Sequence, residues 1–306
     1  MIDIWCSTGL RLPRQMQLTR FVELPANEIT FLALEPRTNS TSASSGIWAE
    51  MANCAQIWAE IYELNQSLVY EMKSPESLEE AVEALLRKLD MWSASLPLHL
   101  RKTQSNLQYY ASVGLGSAFA ALHLGYHYYN EVLCYQFLAG DASMKNATSR
   151  EYAEKCKEHA RLFCDLLYAC QETPNCECFY IMVGHMLVVT STIYIHTLVF
   201  SDRQEEIEMA RARLEKNFQI VMHLQSFWVK LDVSLSRLQA FHNACKISAE
   251  QSFRMDKWML RFLLDHGLAI PERYGADNLP PTLMLQETGS ASPEVTLQDW
   301  YSQTFN

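Results

Sequence analysis

The sequence predicts an all-α protein, a multi-helix bundle of about eight helices between an irregular N-terminal segment and a flexible acidic C-terminal tail. Three observations predict it. Apolar residues recur every three or four positions in segment after segment. Ser, Thr and Pro stand at helix-start positions before several of those segments. No stretch alternates apolar and polar residues between hairpin-turn residues.

Residues 1–46 read as irregular, because Pro13, Pro25 and Pro36 punctuate them and "RTNSTSASSG" is a polar loop. A helical domain is expected over residues 47–270. It begins with Ile47, Met51, Cys54, Trp58, Ile61 and Leu68 on one stripe. Asn65 is the polar member of that stripe, and Glu50, Glu60 and Glu63 take the opposite, exposed face. Ser74-Pro75 and a capping box of Ser77 with Glu80 start the second helix. Leu78, Val82, Leu85, Leu89 and Trp92 continue it until Leu96-Pro97 stops it.

A third helical stretch covers roughly Asn106 to Leu138, bent or broken near Gly114 and Gly116. Thr148 with Glu151 caps a fourth, whose buried face is Tyr152, Cys156, Ala160, Phe163, Leu167 and Cys170. The uncharged run from Phe179 to Phe200 is the fifth. Arg203 to Trp228 is a charged sixth that buries Ile207, Ala210, Leu214, Val221, Leu224 and Trp228. Leu231, Leu235, Leu238 and Cys245 carry the signal into a seventh, and "MDKWMLRFLLDHG" is an eighth that Gly267 terminates.

Residues 271–306 form the acidic aromatic tail. No Lys or Arg follows Arg273, and Pro280-Pro281 with "ETGSASPE" reads as a flexible connection. Leu297, Asp299, Trp300, Tyr301 and Phe305 then mix acid with aromatic and apolar side chains. They make either an activation segment that folds on a partner or a tail docked on its own domain.

The 306 residues are 49% hydrophobic and 20% charged, the balance of an ordinary soluble protein. A net charge of -10 lacks the basic surface that phosphate backbones require, so direct nucleic-acid contact by this chain is not expected. Nine cysteines, an odd count, follow a start without a basic or apolar leader, which argues for reduced, buried thiols. The run from Cys178 to Ser201 has no charged residue and the length of a bilayer span. Its two histidines and its Ser/Thr residues favour a buried core helix, and no membrane is expected as a partner.

Candidate chemistry concentrates in "ALHLGYHYYNEVLC", Ala121 to Cys134. On a helix, His123 and His127 stack on one face, which suits a metal site, a catalytic pair or packing. The zinc-protease pattern needs a Glu after the first His, and none is there, so packing is the first reading and a pH-sensing pair the second. The cysteines at 156, 164, 170, 176 and 178 contain no C-x-x-C pair, and their spacing suits a helix face better than a metal clip. No nucleophile elbow, P-loop or dinucleotide fingerprint occurs. Glu79, Glu80 and Glu83 read as solvated surface. His123, His127, Tyr128 and Tyr135 are the candidate lining of an effector pocket, and no catalytic, cofactor-binding or metal residue is assigned.

The order of six segments resembles the C-terminal part of the middle homology region of fungal binuclear zinc-cluster transcription factors. They are "LPANEITFLALEP" (Leu24 to Pro36), "MANCAQIWAEIYELNQ" (Met51 to Gln66) and "LRKLDMWSASLPLHLR" (Leu86 to Arg101). "LHLGYH" (Leu122 to His127), "EKCKEHARLFCDLL" with the uncharged helix bearing His185 and His196, and "LQSFWVKLDVSLSRLQAF" (Leu224 to Phe241) follow. Tyr135, Gln136 and Phe137 stand where the family commonly has Arg-Pro-Phe, so one characteristic turn is altered.

The resemblance implies a transcription regulator acting in the nucleus, with the cytoplasm as second choice, on metabolic or secondary-metabolite genes. It implies protein partners, a possible dimer and a possible small-molecule effector. The family's six-cysteine module is absent from this sequence, so the resemblance implies a truncated form and no zinc in this chain. The alternative expectation is a small-molecule-binding helical bundle recruited as a non-metal biosynthetic enzyme.

Overall fold

The computed structural model describes residues 3–5, 7, 23–34, 45–70, 75–138, 147–228, 231–249 and 257–264, and among them it is helical with no strand. The tail residues Leu297, Asp299, Trp300, Tyr301 and Phe305, and the expected helix stop at Gly267, lie outside the described residues. Besides the helical residues 3–5 and 7, ten α-helices and two 3-10 turns follow in order among the described residues: α1 (Glu28–Leu32), α2 (Ile47–Tyr70), α3 (Pro75–Ser95), the turn Leu98–Leu100, α4 (Gln104–Ser112) and α5 (Gly116–Cys134). After the turn Tyr135–Phe137 come α6 (Ala147–Glu172), α7 (Ile181–Phe200), α8 (Gln204–Gln225), α9 (Leu231–Ala249) and α10 (Lys257–Leu264). These ten exceed the expected eight by the short α1 and by a division at Gly114, and the segment that prolines mark as irregular is helical at residues 3–5 and 7 as well as in α1.

That division has a local cause. Gly114 takes φ 76°, a left-handed conformation that costs glycine little. Leu115 N–H reaches Tyr110 O at 2.8 Å and Gly114 N–H reaches Ala111 O at 3.1 Å, which closes α4 with a Schellman turn before α5 begins.

The start of α2 is fixed from a distance. Asn27 caps α1 by accepting from the amides of Ile29 (3.1 Å) and Thr30 (3.2 Å). The neighbouring Glu28 carboxylate then accepts from the amides of Ile47 (2.9 Å) and Trp48 (2.7 Å), at the first turn of α2. The backbone there passes so close that a Cβ at Gly46 would lie 2.5 Å from a Glu28 oxygen. Replacing Glu28 by Ala orphans both amides, that of Ile47 in a buried setting. We expect Glu28→Ala to lose roughly 1–3 kcal/mol of stability, read as a lowered midpoint in urea melts. An unchanged midpoint would rule out this cap.

α5 is the hub. It packs most extensively on α6 and also touches α2, α3, α4 and α7, while α7 is enclosed by α5, α6, α8 and α9; α10 returns onto α2. The core is continuous, and Phe119, Leu124, Val132, Leu133, Phe163 and Leu187 are all fully enclosed in it. Each such side chain stabilises the fold by about 1.5–3 kcal/mol relative to exposure. α7 is long and apolar enough to cross a membrane, and 83% of its most apolar window is buried inside the bundle. Its hydroxyls bond backward along the helix, Ser191 to Leu187 O at 2.7 Å and Thr197 to Ile193 O at 3.0 Å, which lets a helix enclosed on all sides carry polar residues.

The expected buried face of α6 is buried throughout, and so are Leu231, Leu235, Leu238 and Cys245 of α9. Ser77 and Thr148, expected as caps, lie inside the first turns of α3 and α6, and Glu50 and Trp228 also depart from expectation. Glu50 is buried rather than exposed, because its carboxylate accepts from the Trp92 indole at 3.1 Å and from Ser45 Oγ at 2.6 Å. Trp228 is 39% exposed, because α8 stops at Gln225 and the chain turns; its indole N–H then donates to Phe179 O.

Candidate functional site

The two stacked histidines of α5 face the place where α3 ends. Pro97 terminates α3 and the turn Leu98–Leu100 follows, which presents the Leu100 carbonyl to α5. His123 Nε2 donates to Leu100 O at 2.9 Å, and its ring stands edge-on to Phe119 with centroids 4.8 Å apart. One helical turn later, His127 meets α6: its Nδ1 lies 3.1 Å from His159 Nδ1, and its Nε2 lies 3.3 Å from Lys102 Nζ. Tyr126 packs its ring against Trp92 (5.4 Å), His127 (5.3 Å) and His159 (5.6 Å).

These contacts define proton positions. An ammonium only donates, so Lys102 gives a proton to His127 Nε2. His127 therefore carries its own proton on Nδ1 and donates it to His159 Nδ1, leaving the His159 proton on Nε2. Burial holds both rings neutral: it pushes His159 down to about 4 and His127 well below the usual histidine range, with the Lys102 charge adding to the latter. His123, lowered by burial to about 4, is neutral as well. The Lys102 ammonium is itself lowered by burial, an effect opposed by Asp165.

Lys102, His123 and His127 open on a cavity of about 520 Å³. Its walls are Ser93, Ala94 and Leu96 from the end of α3, Arg101 and Lys102 after the turn, His123, Tyr126 and His127 from α5, and Leu162 from α6. That volume falls within the range of small-molecule pockets. Two of the four candidate effector residues, His123 and His127, are thus brought together at a cavity.

Tyr128 and Tyr135 point elsewhere, into the α5–α7 interface, because they lie on another face of the same helix and of the turn after it. The Tyr128 hydroxyl is 3.0 Å from His185 Nε2, and the Tyr135 hydroxyl is 2.5 Å from Thr192 Oγ1. Between them Thr190 Oγ1 donates to Glu131 Oε2 at 2.7 Å, while Glu131 Oε1 is buried without a hydrogen-bond partner. Burial raises the Glu131 carboxyl well above the usual carboxylate range, so it stays protonated. The pocket proposed from sequence as one set is therefore two sites: a cleft on one side of α5 and a sealed polar ladder on the other.

Sequence reasoning missed Lys102, His159 and Glu131. His159 stands inside a segment quoted for its family resemblance, yet no local spacing ties it to His127, 32 positions away. Among the described residues the eight cysteines are unpaired and buried, and burial raises the thiols of Cys134 to about 12 and Cys164 to about 11, which suits packing better than reactivity. Among the described residues no group of three or more His, Cys, Asp and Glu is arranged to hold a metal ion. A second, apolar cavity of about 500 Å³ lies under α1, bordered by Phe31, Leu32, Trp48 and Leu115. Comparison of the chain with known protein families, with curated proteins and with solved structures finds no match.

Proposed function

We propose that this chain is the regulatory domain of a fungal-type transcription regulator, whose cleft between α3, α5 and α6 receives a small-molecule effector. One observation carries the reading: three of the segments that resemble the fungal middle region converge on that cleft. "LRKLDMWSASLPLHLR" supplies Ser93, Leu96 and Arg101, "LHLGYH" supplies His123, Tyr126 and His127, and "EKCKEHARLFCDLL" supplies Leu162 to the wall and His159 as the partner of His127. An effector there touches α5 directly, and α5 with the turn after it bonds to α7 through Tyr128, Glu131 and Tyr135. α5 is thus placed to pass a local change at the cleft into the core. In this reading DNA contact comes from a partner chain or another segment, in keeping with the net charge of -10.

The test is to fuse the chain to a heterologous DNA-binding domain in a fungal host and to follow a reporter gene. A several-fold change over the DNA-binding domain alone, with nuclear accumulation, is the expected result. A folded, nuclear fusion that leaves transcription unchanged removes the proposal. A second reading, a non-metal biosynthetic enzyme, is favoured by the Lys102–His127–His159 proton chain, which ends at a cavity. In that case the purified chain turns over a metabolite, and His159→Gln abolishes turnover without lowering the melting temperature.

A further inference from the structure

We infer that the cleft between α3, α5 and α6 binds an anionic small molecule, a carboxylate carried on a flat apolar body, with Lys102 and Arg101 meeting its charge. The inference rests on the cleft being the sensing site proposed above, and it names the chemical class of what is sensed.

The local charges decide the sign. Lys102 and Arg101 stand on the cleft wall, and among the described residues no carboxylate lies within ion-pair distance of either. The guanidinium of Arg101 bonds carbonyls instead, Leu96 O at 3.2 Å and Ala94 O at 3.4 Å. The acids nearest the site on α6 are already matched. Arg161 pairs with Glu158 (2.7 Å) and Asp165 (2.7 Å), and Arg213 of α8 adds a second bond to Asp165 at 2.8 Å. On that stretch two carboxylates face two guanidiniums, and Lys102 with Arg101 remain as the excess positive charge. A cationic ligand would meet repulsion there, while an anion gains from both charges.

The walls decide the body. Leu96, Leu162 and the Tyr126 ring are apolar, and Tyr126 is held in place by Trp92 and His159, so a flat ring finds a stacking surface beside the cations. The histidine pair faces the same charge. A carboxylate arriving beside Lys102 withdraws the ammonium from His127 Nε2 and favours protonation of the His127–His159 pair. The other charges facing this pair are Lys155 and Glu158 on α6 and Arg161 one turn further on. Lys155 is engaged by Glu151 at 4.0 Å, and Asp90 on α3 bears on Tyr126.

4-Hydroxybenzoate and its uncharged amide, 4-hydroxybenzamide, have the same shape and test the inference by titration calorimetry on the full chain. The acid is expected to bind about tenfold more tightly than the amide, a difference of about 1.4 kcal/mol. Lys102→Met should remove the preference for the acid and leave the amide unchanged, while Lys102→Arg retains part of it; far-ultraviolet circular dichroism confirms that each variant is folded. Equal binding of the two probes, binding of neither, or an acid preference that survives Lys102→Met overturns the inference. Those results leave the regulatory reading to the reporter experiment, and a silent reporter with intact acid selectivity rejects only that reading.

Discussion

Acidification from pH 6.5 to pH 4 is expected to unfold this protein cooperatively. His123, His159 and His196 are held by burial at about 4, about 4 and about 3, and His127 well below its usual range. In the unfolded chain each histidine takes up a proton near 6.5. These groups have folded-state values depressed below their unfolded ones, so the unfolded state binds more protons between about pH 6.5 and pH 4. Their stabilisation is full above 6.5 and is lost as pH falls through that window. For His123 alone, 4% exposed, the loss by pH 4 is on the order of 3 kcal/mol. Several such losses compare with a whole-domain stability of roughly 5–15 kcal/mol. Circular dichroism melts at half-unit pH steps check this. His123→Gln, which can still donate to Leu100 O, should flatten the acid slope. Retention of the neutral-pH melting temperature at pH 4 would contradict the burial described for these rings.

Glu131→Gln is expected to stabilise the protein at pH 8 and to leave it unchanged below pH 4.5. Glu131 is fully enclosed, and burial raises its carboxyl well above the ordinary range. A raised folded-state value means that the folded state holds a proton which the unfolded chain releases near 4.5. The contribution is therefore full below 4.5 and declines as pH rises. Glutamine keeps the acceptor for Thr190 Oγ1 and carries no titrating proton. The advantage of the variant should grow with pH by up to about 1.4 kcal/mol per unit, and 1 kcal/mol corresponds to about 2–4 °C in Tm. Urea melts of both proteins at pH 5 and pH 8 decide it, and equal differences at the two pH values would show that Glu131 ionises freely in place. Together the two effects give the native protein a narrow stability maximum near pH 6 to 7, bounded by histidines on the acid side and a carboxyl on the alkaline side.

Much of the helical order was legible in the sequence because it rests on short-range signals. The period of Tyr152, Cys156, Ala160, Phe163 and Leu167 marks α6, and Leu96-Pro97 marks the end of α3. The break near Gly114 was legible for the same reason, since only its position between two periodic runs is needed. Glu50 shows where that logic stops: periodicity places it on the polar face, and only the approach of Trp92 from α3 brings it inside. Trp228 fails in the opposite direction, because periodicity carries a helix past the point where the backbone turns. His123 and His127 were identified by spacing, but their partners Leu100, Lys102 and His159 belong to other elements and leave no mark at a fixed offset.

The sequence by itself determined the all-α class, the faces that most helices bury, the acidic balance and the four-residue spacing that aligns His123 with His127. Those properties follow from hydrogen bonds and side-chain periods that repeat within a few residues. Tertiary structure alone decided that His127 meets His159 and Lys102 at a cavity, that Tyr128 and Tyr135 turn away into a sealed ladder, and that Glu131 is kept protonated. Each of those outcomes depends on which helices pack together and on how far water is excluded between them. Burial and pairing energies between residues tens of positions apart are set by the assembled bundle, and no local pattern encodes them.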